Sequence, residues 1–167
     1  DSPMIYSDNN MPISVTGSYA AGGFFGKVLG DCTIDLGWMD KEVLSYVLGN
    51  GAFAGQLAGI VDNGATLTVK NGSSINVSVG TPTSATAGGL VGACYNHSSI
   101  VLPGEPFEIK GTVAGGSGTA GGVVGEVKDC SMEFSNIIIN EYAMISGARV
   151  GGIVGYAVNN DGIKEIE

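Results

Sequence analysis

One short segment recurs through this chain at a nearly constant interval. It reads Ala21-Gly-Gly-Phe-Phe-Gly26, Ala54-Gly-Gln-Leu-Ala-Gly59, Ala87-Gly-Gly-Leu-Val-Gly92, Ala120-Gly-Gly-Val-Val-Gly125 and Val150-Gly-Gly-Ile-Val-Gly155. The copies start at 21, 54, 87, 120 and 150, so three steps of 33 residues precede one of 30. A fixed period of this length is the signature of stacked structural units, each burying its apolar face against its neighbours.

Between the copies lie short runs rich in β-branched residues: Ala65–Lys70, Ser74–Val79, Ser99–Leu102, Phe107–Val113, Cys130–Phe134 and Asn136–Asn140. Asn-Gly and Pro-Gly turn signals separate several of them, as strands require. The run Asp40–Leu48 is the one rival for a short helix, with Asp40 as its cap, and its place in the repeat favours a strand. Each unit thus reads as three short strands. The expected fold is all-β: a β-solenoid of about five coils, right-handed and parallel by the usual chirality of crossovers. A propeller blade needs more residues and a fourth strand, and a sandwich would impose no period. Residues 1–20 are expected to form a partial coil or cap, 21–160 the solenoid, and 161–167 a tail or link to further sequence.

Within the motif, counting its first residue as zero, position three (Phe24, Leu57, Leu90, Val123, Ile153) and position seven (Val28, Val61, Cys94, Val127, Ala157) are apolar and two pleats apart. Both are assigned to the interior. Position five is always glycine (Gly26, Gly59, Gly92, Gly125, Gly155) and is assigned a packing role, leaving room for close approach. The rival reading, a phosphate-binding loop, would need a following helix and a Lys with Ser or Thr, and no copy has them. Position six (Lys27, Ile60, Ala93, Glu126, Tyr156) is mixed, as on a solvent face. Position four (Phe25, Ala58, Val91, Val124, Val154) is apolar although simple alternation points it outward. Either a bulge or a covering element buries it, or Phe25, Val91, Val124 and Val154 form a contact surface along one side. Trp38, the single tryptophan, is a further contact candidate.

Charge narrows the function. Seven basic and sixteen acidic residues leave a net charge of -9 without a basic cluster, which argues against nucleic acid and anionic membrane surfaces. No apolar run reaches the ~20 residues of a membrane-spanning helix, so no membrane insertion is expected. Asp1-Ser2-Pro3 and the equally abrupt last residues suggest a processed chain or a piece of something longer.

No constellation of catalytic or metal-binding residues emerges, so no cofactor or metal is expected. His97 is the only histidine and lies in a turn without a nucleophile motif; zinc spacing is absent. Asp35 and Asp40, like Glu126, Asp129 and Glu133, read as solvated acids, and Asn159–Gly162 lacks the spaced ligands of a calcium loop. The triplets at Asn71, Asn76 and Asn96 match the glycosylation pattern, which matters only in a eukaryotic secretory setting. Cys32 and Cys130 fall at nearly one repeat position, three steps and about 14 Å apart, too far to bridge. Cys94 and Cys130 differ by three residues in register, roughly 10 Å along the strand. Three free, mostly buried thiols are expected, with an irregular Cys94–Cys130 bridge as the alternative.

Gly89-Leu90-Val91-Gly92 resembles the GLUG repeat, named for its Gly-Leu-hydrophobic-Gly core. Gly122–Gly125 and Gly152–Gly155 match it with conservative change, Gly23–Gly26 more loosely, and Gln56–Gly59 without the first glycine. By repetition the resemblance covers about residues 20 to 160. GLUG repeats occur in large bacterial surface and secreted proteins, including adhesins and immunoglobulin A peptidases, and imply no catalytic residues of their own. The resemblance implies a non-catalytic extracellular or cell-surface segment, in adhesion or as a spacer, with host protein or glycan as partner and flanking domains in a longer chain. An accessory region of a secreted peptidase is the alternative, and a polysaccharide-active β-helix a third.

Overall fold

The computed structural model describes residues 13–36, 45–81, 85–102 and 106–158. Trp38, Asp40 and Asn159–Gly162 lie outside them. Every strand pairing among the described residues is parallel, and the chain winds as a β-solenoid. The first coil holds β1 (Ile13–Gly17), β2 (Ala20–Gly22), β3 (Phe25–Val28) and β4 (Cys32–Asp35). The second holds β5 (Ser45–Gly49), β6 (Phe53–Gly55), β7 (Ala58–Val61) and β8 (Thr66–Lys70). The third holds β9 (Ser74–Gly80), β10 (Thr86–Gly88), β11 (Val91–Tyr95) and β12 (Ser99–Val101). The fourth holds β13 (Phe107–Ala114), β14 (Thr119–Gly121), β15 (Val124–Lys128) and β16 (Ser131–Glu133). A last, partial coil adds β17 (Ile137–Ile139), β18 (Met144–Ser146), β19 (Arg149–Gly151) and β20 (Val154–Val158). Of the Asp40–Leu48 run, Ser45–Leu48 belong to β5.

Corresponding strands stack into four sheets, and the motif copies align residue on residue: Ala21, Ala54, Ala87, Ala120 and Val150 form one column. The expected solenoid therefore forms, with a finer division of the coil. The motif is not one strand. It is two, joined at a two-residue corner, as β10 and β11 are at Gly89-Leu90.

Hydrogen bonds between coils stabilise this corner. The Leu90 carbonyl accepts the N–H groups of Leu57 and Ala58 at 2.8 and 3.2 Å. Val123 O receives Leu90 and Val91, and Ile153 O receives Val123 and Val124, in the same way. A buried corner would otherwise strand these polar groups without water. Its tightness explains the glycine at position one. A Cβ at Gly22, Gly55, Gly88, Gly121 or Gly151 would overlap the carbonyl of position four in its own coil. Position five faces the neighbouring coil instead: a Cβ at Gly92 would lie 2.5 Å from Gly59 O and 2.8 Å from Ala54 N. The packing role assigned to position five thus extends to position one, which the sequence reading passed over.

The core runs along the axis as one cluster. It includes Leu57, Leu90 and Val123 at the corners, Ile75, Val77, Val79 and Ile109 from the long-strand sheet, and Leu67 and Ile100 from the fourth. Val61, Cys94 and Val127 of position seven belong to it, while Ala157 in the last coil is exposed. At position two of the second copy, Gln56 is fully buried, and its Oε1 accepts the Ser78 N–H at 3.1 Å. The one non-glycine there thus bridges the corner to the long-strand sheet as a satisfied polar group.

Candidate functional site

The position-four ladder was one candidate surface. Ala58, Val91 and Val124 have no exposed area and sit in the core cluster, and Val154 is half-buried against it. Only Phe25, in the first coil, shows about a third of its surface. Val91 and Val124 are therefore core residues, which corrects the reading of this ladder as a contact face. The cause is a change of phase in the third sheet. Each neighbouring pair of strands there pairs at positions four, six and seven but skips the glycine column. With the ladder interrupted at glycine, positions four and seven both enter the core although three residues separate them.

Position six is corrected too. Lys27 and Tyr156 are exposed, but Ile60 and Ala93 are buried outside the central cluster. The second sheet folds back over the third at the corner. Thr86 Cγ2 lies 2.5 Å from where a Gly125 Cβ would stand, and Thr119 Cγ2 2.6 Å from the same point at Gly155. Arg149, in the same column, places its guanidinium 4.9 Å from the centre of the Tyr156 ring.

Near these contacts runs a row of aromatic side chains from successive coils. Tyr19 and Phe53 meet edge to face with ring centres 5.9 Å apart, and Phe53 meets Tyr95 the same way at 5.7 Å. Edge-to-face geometry sets the positive rim of one ring against the negative face of the next. Tyr19 is largely exposed; Phe53 and Tyr95 are partly so. Burial, and then the charge and hydrogen bond of Glu126 in the next coil, push the Tyr95 hydroxyl up, so it stays protonated at neutral pH. Next to this row, Lys27 Nζ and Asp62 Oδ2 form an ion pair at 2.8 Å. Asp62 Oδ1 accepts from Asn96 Nδ2 at 2.7 Å and from the Asn63 N–H at 2.8 Å. The hydrogen bond from Lys27 holds the Asp62 carboxyl below its usual range against a smaller opposing push from burial.

Other acids serve the stack in the same way. Asn71 Nδ2 donates to Asp35 Oδ2 at 2.9 Å, Asn140 Nδ2 to Glu108 Oε1 at 2.6 Å, and the Thr66 N–H to Asp31 Oδ1 at 2.8 Å. Each bond joins one coil to the next. The turn asparagines Asn63, Asn71, Asn96 and Asn136 all adopt positive φ, the left-handed conformation that Asn tolerates best among residues with a side chain. His97 is exposed in its turn at φ 59°, and its N–H donates to Asp129 O at 2.6 Å.

The three cysteines carry free thiols, as expected: Cys94 is buried, and Cys32 and Cys130 are half-buried. Interaction with Cys130, and then burial, push the Cys94 thiol up. Between β15 and β16 the chain bends at Asp129, whose φ is 53°. Cys32 stacks on Leu67, whose column runs on through Ile100 to Met132, and stays remote from Cys130 as expected.

No helix among the described residues is long and apolar enough to cross a membrane, and no group of three or more His, Cys, Asp or Glu among them is placed to hold a metal ion. No family model, curated protein or solved structure matches this chain.

Proposed function

We propose that this chain is a non-catalytic segment of an extracellular bacterial surface protein, and that the Tyr19–Phe53–Tyr95 stripe is its contact surface for a host protein or glycan. The GLUG-like repetition supports the surface-protein setting. The single observation that carries the contact role is the stripe itself. Three aromatic side chains from successive coils form one partly exposed row beside ionic and amide groups. Aromatic surface supplies contact area at low entropic cost, and the polar margin supplies direction. The long, regular face of a solenoid suits extended ligands.

A screen of the whole chain against glycan and host-protein arrays tests this reading. The chain is expected to retain a ligand, and Tyr19→Ser with Tyr95→Ser to weaken it at least tenfold while circular dichroism stays unchanged. Undiminished binding by that double variant, with its fold intact, overturns the assignment of the stripe.

A further inference from the structure

We propose that copies of this chain stack head to tail, the last coil of one seated on the first coil of the next. Three of the four sheets begin with a first-coil strand, β1, β2 or β3, and finish with a strand of the last coil. Among the described residues nothing pairs beyond either end, and an unpaired strand is a template for another chain. What fits there is set by how the inner coils already fit. A Cβ at position two points at the coil that follows: at Gly89 it would overlap Gly122 O, and at Gly122 it would overlap Gly152 O. At Gly152 it would meet nothing. A Cβ at position five points at the coil before: at Gly59 it would lie 2.7 Å from Gly26 O and 2.8 Å from Ala21 N. At Gly26 it would meet only Ala20 O of its own coil, at 3.5 Å. Each end thus carries one half of a corner contact. The Gly23 carbonyl of a second copy fills the space over Gly152, and Gly155 O and Val150 N of the first copy fill the space over that second copy's Gly26.

Hydrogen bonding has the matching polarity. A position-three carbonyl accepts the position-three and position-four N–H groups of the coil before it, as Leu57 O does from Phe24 and Phe25 at 3.1 Å each. Ile153 and Val154 carry the equivalent donors of the last coil, and Phe24 O is the equivalent acceptor of the first. The core columns match as well. Val47, Val79 and Val113 form a buried column that ends half-buried at Val15 and at Ile145. Leu57, Leu90 and Val123 end likewise at Phe24 and Ile153. Stacking sets Ile145 on Val15 and Ile153 on Phe24, and it covers Met144 and Val150, which are 67% and 51% exposed. A second copy is the occupant because its first coil carries the corner that this end is shaped for, with a carbonyl at position two and a glycine at position five. An unrelated strand would pair along one sheet without turning that corner. The contact joins two different surfaces, so it yields open rows of copies rather than a closed dimer. The net charge of -9 on every copy opposes it, and salt screens that repulsion. The inference stands independently of the contact role of the aromatic stripe.

Analytical ultracentrifugation of the whole chain from about 1 μM to about 1 mM, in salt that screens the charge, tests it. The expected result is a mass that grows with concentration in single-chain steps. Gly152→Val and Gly26→Val each spoil one end and spare the other, and both glycines are exposed. Each variant alone should stay monomeric where the unsubstituted chain associates, a weakening of about tenfold or more, with circular dichroism unchanged. Mixed, the two should form dimers that grow no further, because one variant keeps a sound first coil and the other a sound last coil. Alanine at the same positions, a smaller change, should give the same pattern in weaker form. A chain that stays monomeric at every concentration overturns the proposal. So does association that both variants retain, or that only one of them abolishes, since a contact between like ends needs only one of the two surfaces. A mixture that fails to dimerise overturns it too.

Discussion

The third and last coils carry nearly the same motif and fare in opposite ways. Every residue from Ala87 to Cys94 is buried, whereas Val150 is half exposed and Gly152, Tyr156 and Ala157 are open to solvent. The two strands of the motif have the same lengths in both. What differs is company: the third coil has a coil on each side, and the last has one among the described residues. The motif therefore does not bury itself. It shapes a corner whose far face the next copy must fill, which is the physical content of repetition. The glycines show this most directly. A Cβ at Gly89 would overlap Gly122 O, while a Cβ at Gly152 would meet nothing. At position one the requirement lies within the coil, and Gly151 is as constrained as Gly88.

The largest contrast should come from the corner side chain. Leu90→Ala empties a fully buried site and should cost about 3–5 kcal/mol, a cavity term included. Ile153→Ala trims a partly buried residue and should cost roughly 1 kcal/mol, in proportion to the smaller area lost. Urea unfolding gives the totals, and hydrogen exchange shows where protection falls, which matters because a stacked array need not unfold as one unit. Equal losses at the two positions would mean that the last coil is buried as deeply as the third.

These contrasts also mark how far the sequence could be read. The 33-residue step and the β-branched runs were enough for the solenoid, because only a stack makes such a period useful. Leu57, Leu90 and Val123 were legible as core for the same reason. Val91 was legible only as one of two readings, a buried bulge or a contact face, since alternation is a sound guide only while the ladder is regular, and the glycine that interrupts it looks like any other strand glycine. The stripe was also hidden. Tyr19 and Phe53 precede the first residue of their motif copies by two and one positions, and Tyr95 lies eight beyond its own. No period links them; they meet because the second sheet folds back on the third.

A smaller effect, opposite in sign at the two ends of the comparison, is expected at position two. Gly89→Ala must displace a backbone carbonyl of the fourth coil, and such overpacking costs about 1–3 kcal/mol. Gly152→Ala meets open space with no positive φ to oppose it. It should gain roughly 0.4–1 kcal/mol by restricting the unfolded chain. Thermal melts of the two single variants would show this as shifts in opposite directions. A loss at Gly152 equal to that at Gly89 would show that something packs on the outer side of the last coil.

The smallest effect concerns the polar staples. Asp62 links three coils, through Lys27 of the first and Asn96 of the third, whereas Glu108 links the fourth to the last through Asn140, with Lys110 beside it on its own strand. Both carboxyls are held below their usual range, by Lys27 and by Lys110 respectively as the leading cause. A carboxyl whose folded pKa is depressed contributes stability that is complete above its unfolded value, about 4. That contribution is lost as pH falls through the lower folded value. The lysine is the mirror case: hydrogen bonding to Asp62 raises Lys27, so its share is complete below about 10.4 and is lost as pH climbs through the higher folded value. Asp62→Asn should therefore flatten both the acid limb below pH ~4 and the alkaline limb above ~10.4 in a plot of Tm against pH. Lys27 is more than a third exposed, so solvent screening limits the change to a few tenths of a kcal/mol. Glu108→Gln should alter the acid limb less, because its side chain is the more exposed of the two carboxylates. An equal or larger change at Glu108 would place the stronger staple at the open end of the stack and reverse the ranking of the two regions.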